Sequence, residues 1–189
     1  MAAELPTPSQ IQPRVSGLKP LGTRVATVVY RSSTPRYATE NDLLTGIGSQ
    51  RWRWNPVGLA AVDASLTPET ALAETLAHHR YYNLPLEQAM PRTFVAIEAR
   101  LRQVLDLGNG QVRPRLRLSL ASLLAVDWRR DMAEGRIPLT QVLGWAADLS
   151  GFEGLLVPSS ADPTGINLLV FPRKLRPGSR LEILSPERL

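Results

Sequence analysis

Short strand-like runs alternate with helix signals along this chain, and that alternation limits the folds open to it. Arg24–Tyr30 is a β-branched, apolar run that predicts a first strand, and Leu59–Ala64 predicts a short buried strand. Thr67 then offers a helix cap, Pro68 suits the first helical position, and the helix should end near Tyr82. Because strands and helices are intermixed, we expect an α/β or α+β fold around one central core.

The later elements follow the same alternation. Apolar runs bounded by turn residues predict further strands within Arg92–Leu107 and at Gly154–Pro158, Asn167–Phe171 and Arg180–Leu184. A helix with an apolar stripe is predicted at Leu139–Leu149. These elements place most of the predicted sheet in the second half of the chain.

Three segments are less regular. Residues 32–50 are rich in Ser, Thr, Pro and Gly and are predicted to form a long loop. Arg113–Leu118 fits either a strand or a helical turn, whereas Ser119–Val126 suits a capped helix. Residues 1–22 are polar and hold four prolines, so we expect an N-terminal arm or tail. Residues 23–189 are then the folded domain.

The composition excludes several classes of protein. A chain of 189 residues with 43% hydrophobic residues fits one globular domain, and no apolar run approaches the ~20 residues that span a bilayer. Met1–Gln10 has neither a basic start nor an apolar core, so we expect a cytoplasmic protein without a secretory signal. The chain has no Cys and only two His, which argues against a metal site.

The charge balance leaves two kinds of partner to weigh. The chain has 22 Lys and Arg against 17 Asp and Glu, and every basic residue except Lys19 and Lys174 is arginine. Nucleic-acid binding would fit the net charge of +5, but the basic residues are dispersed and their densest cluster, Arg113–Arg117, lacks a stacking aromatic. We therefore expect solvated surface charge and no direct nucleic-acid partner. An anionic small molecule also fits, because guanidinium groups bind phosphate in a bidentate manner.

Four segments stand out by their order and spacing. Each alone is a weak signal, but the ordered set extends from the first strand into the last third of the chain. They are Tyr30-Arg31, Arg51-Trp52-Arg53-Trp54-Asn55-Pro56-Val57-Gly58, Pro68-Glu69-Thr70-Ala71-Leu72-Ala73-Glu74, and Gly154-Leu155-Leu156-Val157-Pro158-Ser159 with the following Asn167-Leu168-Leu169-Val170-Phe171.

This set resembles the RES-domain family, the toxin components of bacterial type II toxin–antitoxin pairs whose antitoxins carry an Xre-like domain. The resemblance covers about residues 24–184 and implies a compact fold like that of the ADP-ribosyltransferase toxins, with a central mixed sheet and flanking helices. It implies that NAD+ is consumed as substrate, with no resident cofactor, and that its nicotinamide–ribose bond is broken. It also implies an antitoxin partner and pairing between toxin copies. The acceptor, whether water, phosphate or a protein side chain, stays open.

The resemblance also assigns roles to residues of this chain. It implies that Glu74, Arg31 and Ser159 are catalytic and that NAD+ is bound by Arg31, Arg53, Asn55, Ser159 and Asn167. Cleavage leaves positive charge on the ribose, as in glycoside hydrolysis, and a fixed carboxylate such as Glu74 would stabilise it.

Some assignments have neighbouring alternatives. Arg51 competes with Arg53 as a clamp on NAD+, and Ser160 competes with Ser159. His78 lies four residues after Glu74, on the same helical face, where it is either a proton partner or an ordinary helix-end histidine. Each alternative stays open at the level of sequence.

One position departs from the family pattern. Many members have a Tyr near the substrate in the strand before the Pro68–Glu74 segment, and the corresponding residue here is Asp63, with no Tyr between Gly58 and Pro68. This substitution predicts either an altered product or reduced activity. It also supports a second interpretation, in which the chain is an inactive interaction domain that keeps the fold.

Overall fold

The computed structural model describes residues 7–46 and 52–184. The strands in these residues are Thr23–Ser33 (β1), Val62–Ser65 (β2), Thr93–Asp106 (β3), Gly154–Pro158 (β4), Ile166–Val170 (β5) and Arg180–Ile183 (β6). They form a single sheet in the order β1-β2-β5-β4-β3-β6, and β1 also pairs with β3, which closes the sheet into a barrel. The neighbours are antiparallel except for the parallel pair β3–β4, so the sheet is mixed, as expected.

Seven α-helices flank this sheet in the described residues. They are Pro8–Ser16 (α1), Glu40–Leu44 (α2), Pro68–Tyr81 (α3), Val112–Arg115 (α4), Leu120–Leu124 (α5), Trp128–Ala133 (α6) and Leu139–Leu149 (α7). Short 3-10 turns occur at Lys19–Leu21, Pro35–Tyr37, Leu86–Ala89 and Pro172–Lys174. None of the helices in these two described ranges is long and apolar enough to cross a membrane.

Strand alternation divides the core into two clusters. The inner cluster fills the barrel with branched and small side chains from opposing strands, including Val29, Val62, Ile97 and Leu168. The outer cluster lies between the other face of the sheet and the helices α1 and α7. Neighbouring residues on a strand therefore point into different clusters, so a polar residue on the outer face can reach the helices.

Two segments differ from the sequence expectation, and in a third the structure decides between two alternatives. Residues 8–16, expected within an arm, form α1, because Ile11, Val15 and Leu18 recur at helical spacing and are buried against α7. The region 32–46 is not a plain loop, since Thr39 caps the short helix α2. Arg113–Leu118, for which the sequence leaves a strand or a helical turn open, begins within the helical turn α4.

Candidate active site

Helix α3 begins as the sequence predicts. The Thr67 hydroxyl accepts a hydrogen bond from the Thr70 backbone N–H at 3.1 Å, and Pro68 occupies the first turn. One turn later Glu74 lies on the same helical face as Thr70. The hydroxyl of Thr70 donates to Asp162 at 2.6 Å, which docks the start of the helix against the turn between β4 and β5.

Glu74 is held by two donors from distant parts of the chain. The Ser159 hydroxyl donates to Glu74 Oε1 at 2.6 Å, and the Asn167 side-chain amide donates to the same oxygen at 2.7 Å. Glu74 Oε2 forms no hydrogen bond with the residues that the structure describes. The carboxylate is therefore fixed through one oxygen and has the other available to a ligand.

The two donors are themselves held in place. The Ser159 hydroxyl accepts backbone N–H groups of Ala161 and Asp162, each at 3.0 Å, so its proton is directed to Glu74. The Ser65 hydroxyl donates to Asn167 Oδ1 at 2.7 Å, which turns the amide nitrogen of Asn167 toward Glu74. Ser159 thus acts as an orienting group, and its hydroxyl is poorly placed to be a nucleophile.

Asp63 lies on the same face of β2 as Ser65, because alternate residues of a strand share a face. Its side chain is exposed, yet the surrounding protein and the nearby Glu74 raise its pKa to about 7, while Arg31 acts in the opposite direction. The exposure and the raised pKa are compatible if the Asp63 carboxyl faces solvent on one side and protein on the others. Asp63, the residue that departs from the family pattern, therefore lies near Glu74.

Arg31, at the end of β1, donates one guanidinium nitrogen to the carbonyl oxygen of Leu43 at 3.0 Å. Burial lowers its pKa, and the negative charges of Asp63 and Asp42 partly offset this effect. The remaining donors of the guanidinium have no hydrogen-bond partner among the described residues. Arg31 thus lies near Asp63 of β2 while it contacts α2, and some of its donors have no partner among the described residues.

Arg53 has a structural engagement that the sequence does not reveal. Its guanidinium donates to the carbonyl oxygens of Val126 at 3.1 Å, Leu123 at 2.8 Å and Leu124 at 3.2 Å, so it caps the end of α5. Burial lowers its pKa, and the negative charge of Glu74 opposes that shift. Arg53 is therefore near the site but already committed to backbone, and its role as an NAD+ clamp stays a prediction.

The other predicted ligands are placed less directly. Asn55 is buried and its side-chain nitrogen is 3.4 Å from the Leu59 carbonyl oxygen, within the turn that follows Arg53. Arg51, the alternative clamp, lies outside the described residues. Ser159 contacts Glu74, whereas its neighbour Ser160 is exposed.

An aromatic and arginine group borders the site at the end of α3, and the sequence interpretation missed it. The Arg129 guanidinium carbon is 4.7 Å from the Tyr81 ring centre and 4.3 Å from that of Trp128. Burial lowers the Arg129 pKa, and Glu74 is among the groups that oppose this shift. The Trp128-Arg129 pair alone is a weak signal in the sequence, and the second aromatic partner, Tyr81, comes from another helix.

His78 belongs to the same group. Its ring lies 5.0 Å from that of Tyr82 and 6.5 Å from that of Trp52, measured between centres. Burial and then the positive charges of Arg129 and its neighbours lower the pKa of His78. These effects favour the neutral form of the ring, and a role of His78 as proton partner of Glu74 stays a prediction.

Comparison with solved structures shows that this fold occurs in a known protein. The fold matches that in the M. tuberculosis MbcT–MbcA toxin–antitoxin complex with a TM-score of 0.70, at 21% identity, over 96% of this chain and 92% of that one. The sequence narrows the class further, since the RES domain matches residues 28–188. The chain belongs to the RES domain family, which confirms the family resemblance and the predicted fold class.

A curated relative is also similar along most of its length. The Prs ADP-ribosylating toxin of Sphingobium sp. (strain YBL2) is 31% identical over 150 residues, which cover 78% of this chain and 84% of that protein. The matched span includes most of the chain, so the relationship is not confined to one motif.

Proposed function

We propose that this protein is the toxin of a toxin–antitoxin pair and that it consumes NAD+ by breaking the nicotinamide–ribose bond. The observation that carries the proposal is the Glu74 carboxylate, which two donors hold through Oε1 while Oε2 has no partner among the described residues. Membership of the RES domain family and the similarity to an ADP-ribosylating toxin support the same chemistry.

The carboxylate fits the difficult part of the reaction. Nicotinamide leaves as a neutral molecule, and the positive charge that remains develops on the ribose. A carboxylate whose position is fixed before the reaction stabilises that charge without reorganising. Glu74 Oε2 would contact the ribose, while Ser159 and Asn167 keep the carboxylate from rotating.

The pyrophosphate of NAD+ requires positive donors near this carboxylate. Arg31 supports this role best, because part of its guanidinium has no partner among the described residues. Arg129 is a second candidate, held between two aromatic rings close to Glu74. Arg53 would contribute mainly by long-range charge, since three carbonyl oxygens already engage it.

The acceptor decides which kind of enzyme this is. Water gives a glycohydrolase, phosphate gives a phosphorylase and a protein side chain gives an ADP-ribosyltransferase. The similarity to the Prs ADP-ribosylating toxin of Sphingobium favours ADP-ribosyl transfer. The inactive interaction domain is the competing proposal, and it predicts no turnover with any acceptor.

The test is nicotinamide release from NAD+ by the purified protein, in water, with phosphate, and with bacterial proteins as acceptors. Glu74→Gln keeps a side-chain oxygen for Ser159 and Asn167 but removes the charge, so we expect kcat to fall by about 10³-fold or more with little change in Tm. Glu69→Gln, an exposed residue in the first turn of the same helix, is the matched control and should retain activity. Full activity in the Glu74 variant would refute the assignment.

A protein antitoxin is the proposed partner, as in the solved complex that shares this fold. An Xre-type domain in that antitoxin and pairing between toxin copies are further parts of the proposal. Induction of the protein in a bacterium should arrest growth, and induction of the Glu74→Gln variant should not. Growth arrest by both proteins would mean that the toxicity does not depend on this site.

A further inference from the structure

Asp63 is a carboxylate near Glu74 that has no role in the cleavage step described above. It shares a face of β2 with Ser65, which is linked through Asn167 to Glu74. Its side chain is exposed, and it forms no hydrogen bond or ion pair with the described residues. An acid with these properties has both oxygens available on the open side of the site.

In the part of the chain that the structure describes, two charged side chains act on Asp63. Glu74 approaches it from α3 and Arg31 from β1, while β5, the strand paired with β2 on its other side, has no charged residue between Ile166 and Val170. Arg31 is partly engaged by the Leu43 carbonyl oxygen. The negative charges of Asp63 and Glu74 are therefore only partly neutralised by Arg31. Such an arrangement lowers stability and is common at active sites.

We propose that Asp63 is the acceptor-side base of this site, which removes the proton from an O–H or N–H nucleophile as it attacks the ribose and thereby selects such nucleophiles over phosphate. This inference rests on the proposed function and names the class of acceptor. Water and a hydroxyl or amine of a protein side chain belong to this class, because each carries a proton that has to leave.

The step balances in atoms and charge. The bond between the ribose carbon and the nicotinamide nitrogen breaks, and its electron pair leaves with neutral nicotinamide. A bond forms from the acceptor oxygen or nitrogen to the ribose carbon. The acceptor proton passes to the Asp63 carboxylate and then to solvent, while Glu74 stabilises the ribose cation and returns unchanged.

Phosphate fits this arrangement poorly. As an anion it attacks without needing a base, so Asp63 gives it no help. It would also approach a pair of carboxylates after the pyrophosphate of NAD+ has neutralised the nearby arginines. The proximity of Asp63 and Glu74 thus favours neutral nucleophiles on grounds of charge as well as proton transfer.

The raised pKa of Asp63 supports the role, since a base that titrates near pH 7 is ionised enough to accept a proton and basic enough to hold it. Activity that depends on Asp63 should increase as the pH rises through about 7. The rate of a variant without this carboxylate should lack that increase.

The test compares wild type with Asp63→Asn and Asp63→Ala, with Glu69→Gln as the control. NAD+ is supplied in buffer alone, with methanol, with methylamine, and with increasing phosphate, and the products are separated by mass spectrometry. We expect each Asp63 variant to lose at least tenfold in kcat for water, methanol and methylamine, with KM for NAD+ changed less than twofold. Any product ADP-ribose 1″-phosphate should increase relative to ADP-ribose in these variants. Protein acceptors from a lysate, added in a separate arm, distinguish water from a side chain as the natural source.

Several outcomes would overturn the inference. A wild type that forms ADP-ribose 1″-phosphate in preference to ADP-ribose, or Asp63 variants that lose all acceptors equally, would exclude acceptor selection while leaving the proposed function intact. Variants with unchanged kcat would exclude the base. If wild type releases no nicotinamide with any acceptor, the proposed function and this inference fail together.

Discussion

Replacing Asp63 by Asn should stabilise the protein above pH 7. In the folded protein, burial and Glu74 raise the pKa of Asp63 from 3.8 to about 7, so the folded state binds a proton more tightly than the unfolded state. The free energy of unfolding of wild type therefore decreases as the pH rises from about 4 to 7. This loss of stability from the ionised Asp63 is complete above pH 7, and the uncharged Asn side chain avoids it.

The size of this effect follows from the same pKa difference. At ~1.4 kcal/mol per pH unit, the full difference would correspond to about 4 kcal/mol. Because the side chain is exposed on one side, solvent screening reduces the expected gain to about 1–2 kcal/mol. For a chain of this size that is a rise in Tm of roughly 2–8 °C.

The assay is thermal unfolding of wild type and Asp63→Asn at pH 4 and pH 8. Asp162→Asn is a matched control of opposite sign, because hydrogen bonds from Thr70 and its own turn lower the pKa of Asp162. That variant should be less stable than wild type at pH 8, and the difference should shrink as the pH falls. A gain for Asp63→Asn that is equal at both pH values, or absent at pH 8, would refute the electrostatic argument.

Two further substitutions test the scaffold around the site. Arg53→Ala should lower the free energy of unfolding by about 2–4 kcal/mol, because three carbonyl oxygens near the end of α5 lose a charged donor. Arg53→Lys should recover part of this loss. Equal Tm values for Arg53→Ala and wild type would contradict the capping role of Arg53. Gly144→Ala should cost about 1–3 kcal/mol in thermal unfolding, since an added Cβ would press on the Trp54 carbonyl oxygen where α7 meets the turn that holds Arg53. A Gly144→Ala protein as stable as wild type would contradict the argument, because it would mean that the backbone at Trp54 can move away from the added Cβ without cost.

Local signals predicted the elements that carry the site. The Thr67 cap and Pro68 place the start of α3, and apolar runs place β1, β4 and β5. The helix α1 was missed because prolines at its start and middle obscure the spacing of Ile11 and Val15. Its stability comes from burial against α7, which a local pattern does not show.

The site itself is assembled from distant residues. Glu74 is 85 residues from Ser159 and 93 residues from Asn167, so no local pattern joins them, and only the family resemblance indicated their proximity. Ser65 was not predicted, because its contribution depends on a strand pairing. The role of Arg53 as a cap was equally hidden, since the carbonyl oxygens it binds are at least 70 residues away.

The position of β5 in the sheet has a consequence for the cell that makes this protein. This strand is late in the chain, yet it lies between β2 and β4 and supplies Asn167 to Glu74. A nascent polypeptide that extends only to residue 158 has β2 unpaired on that side, and Glu74 lacks both of its donors. The hydrogen bonds that fix Glu74 can therefore form only after the late strands β4 and β5 of the sheet have been synthesised.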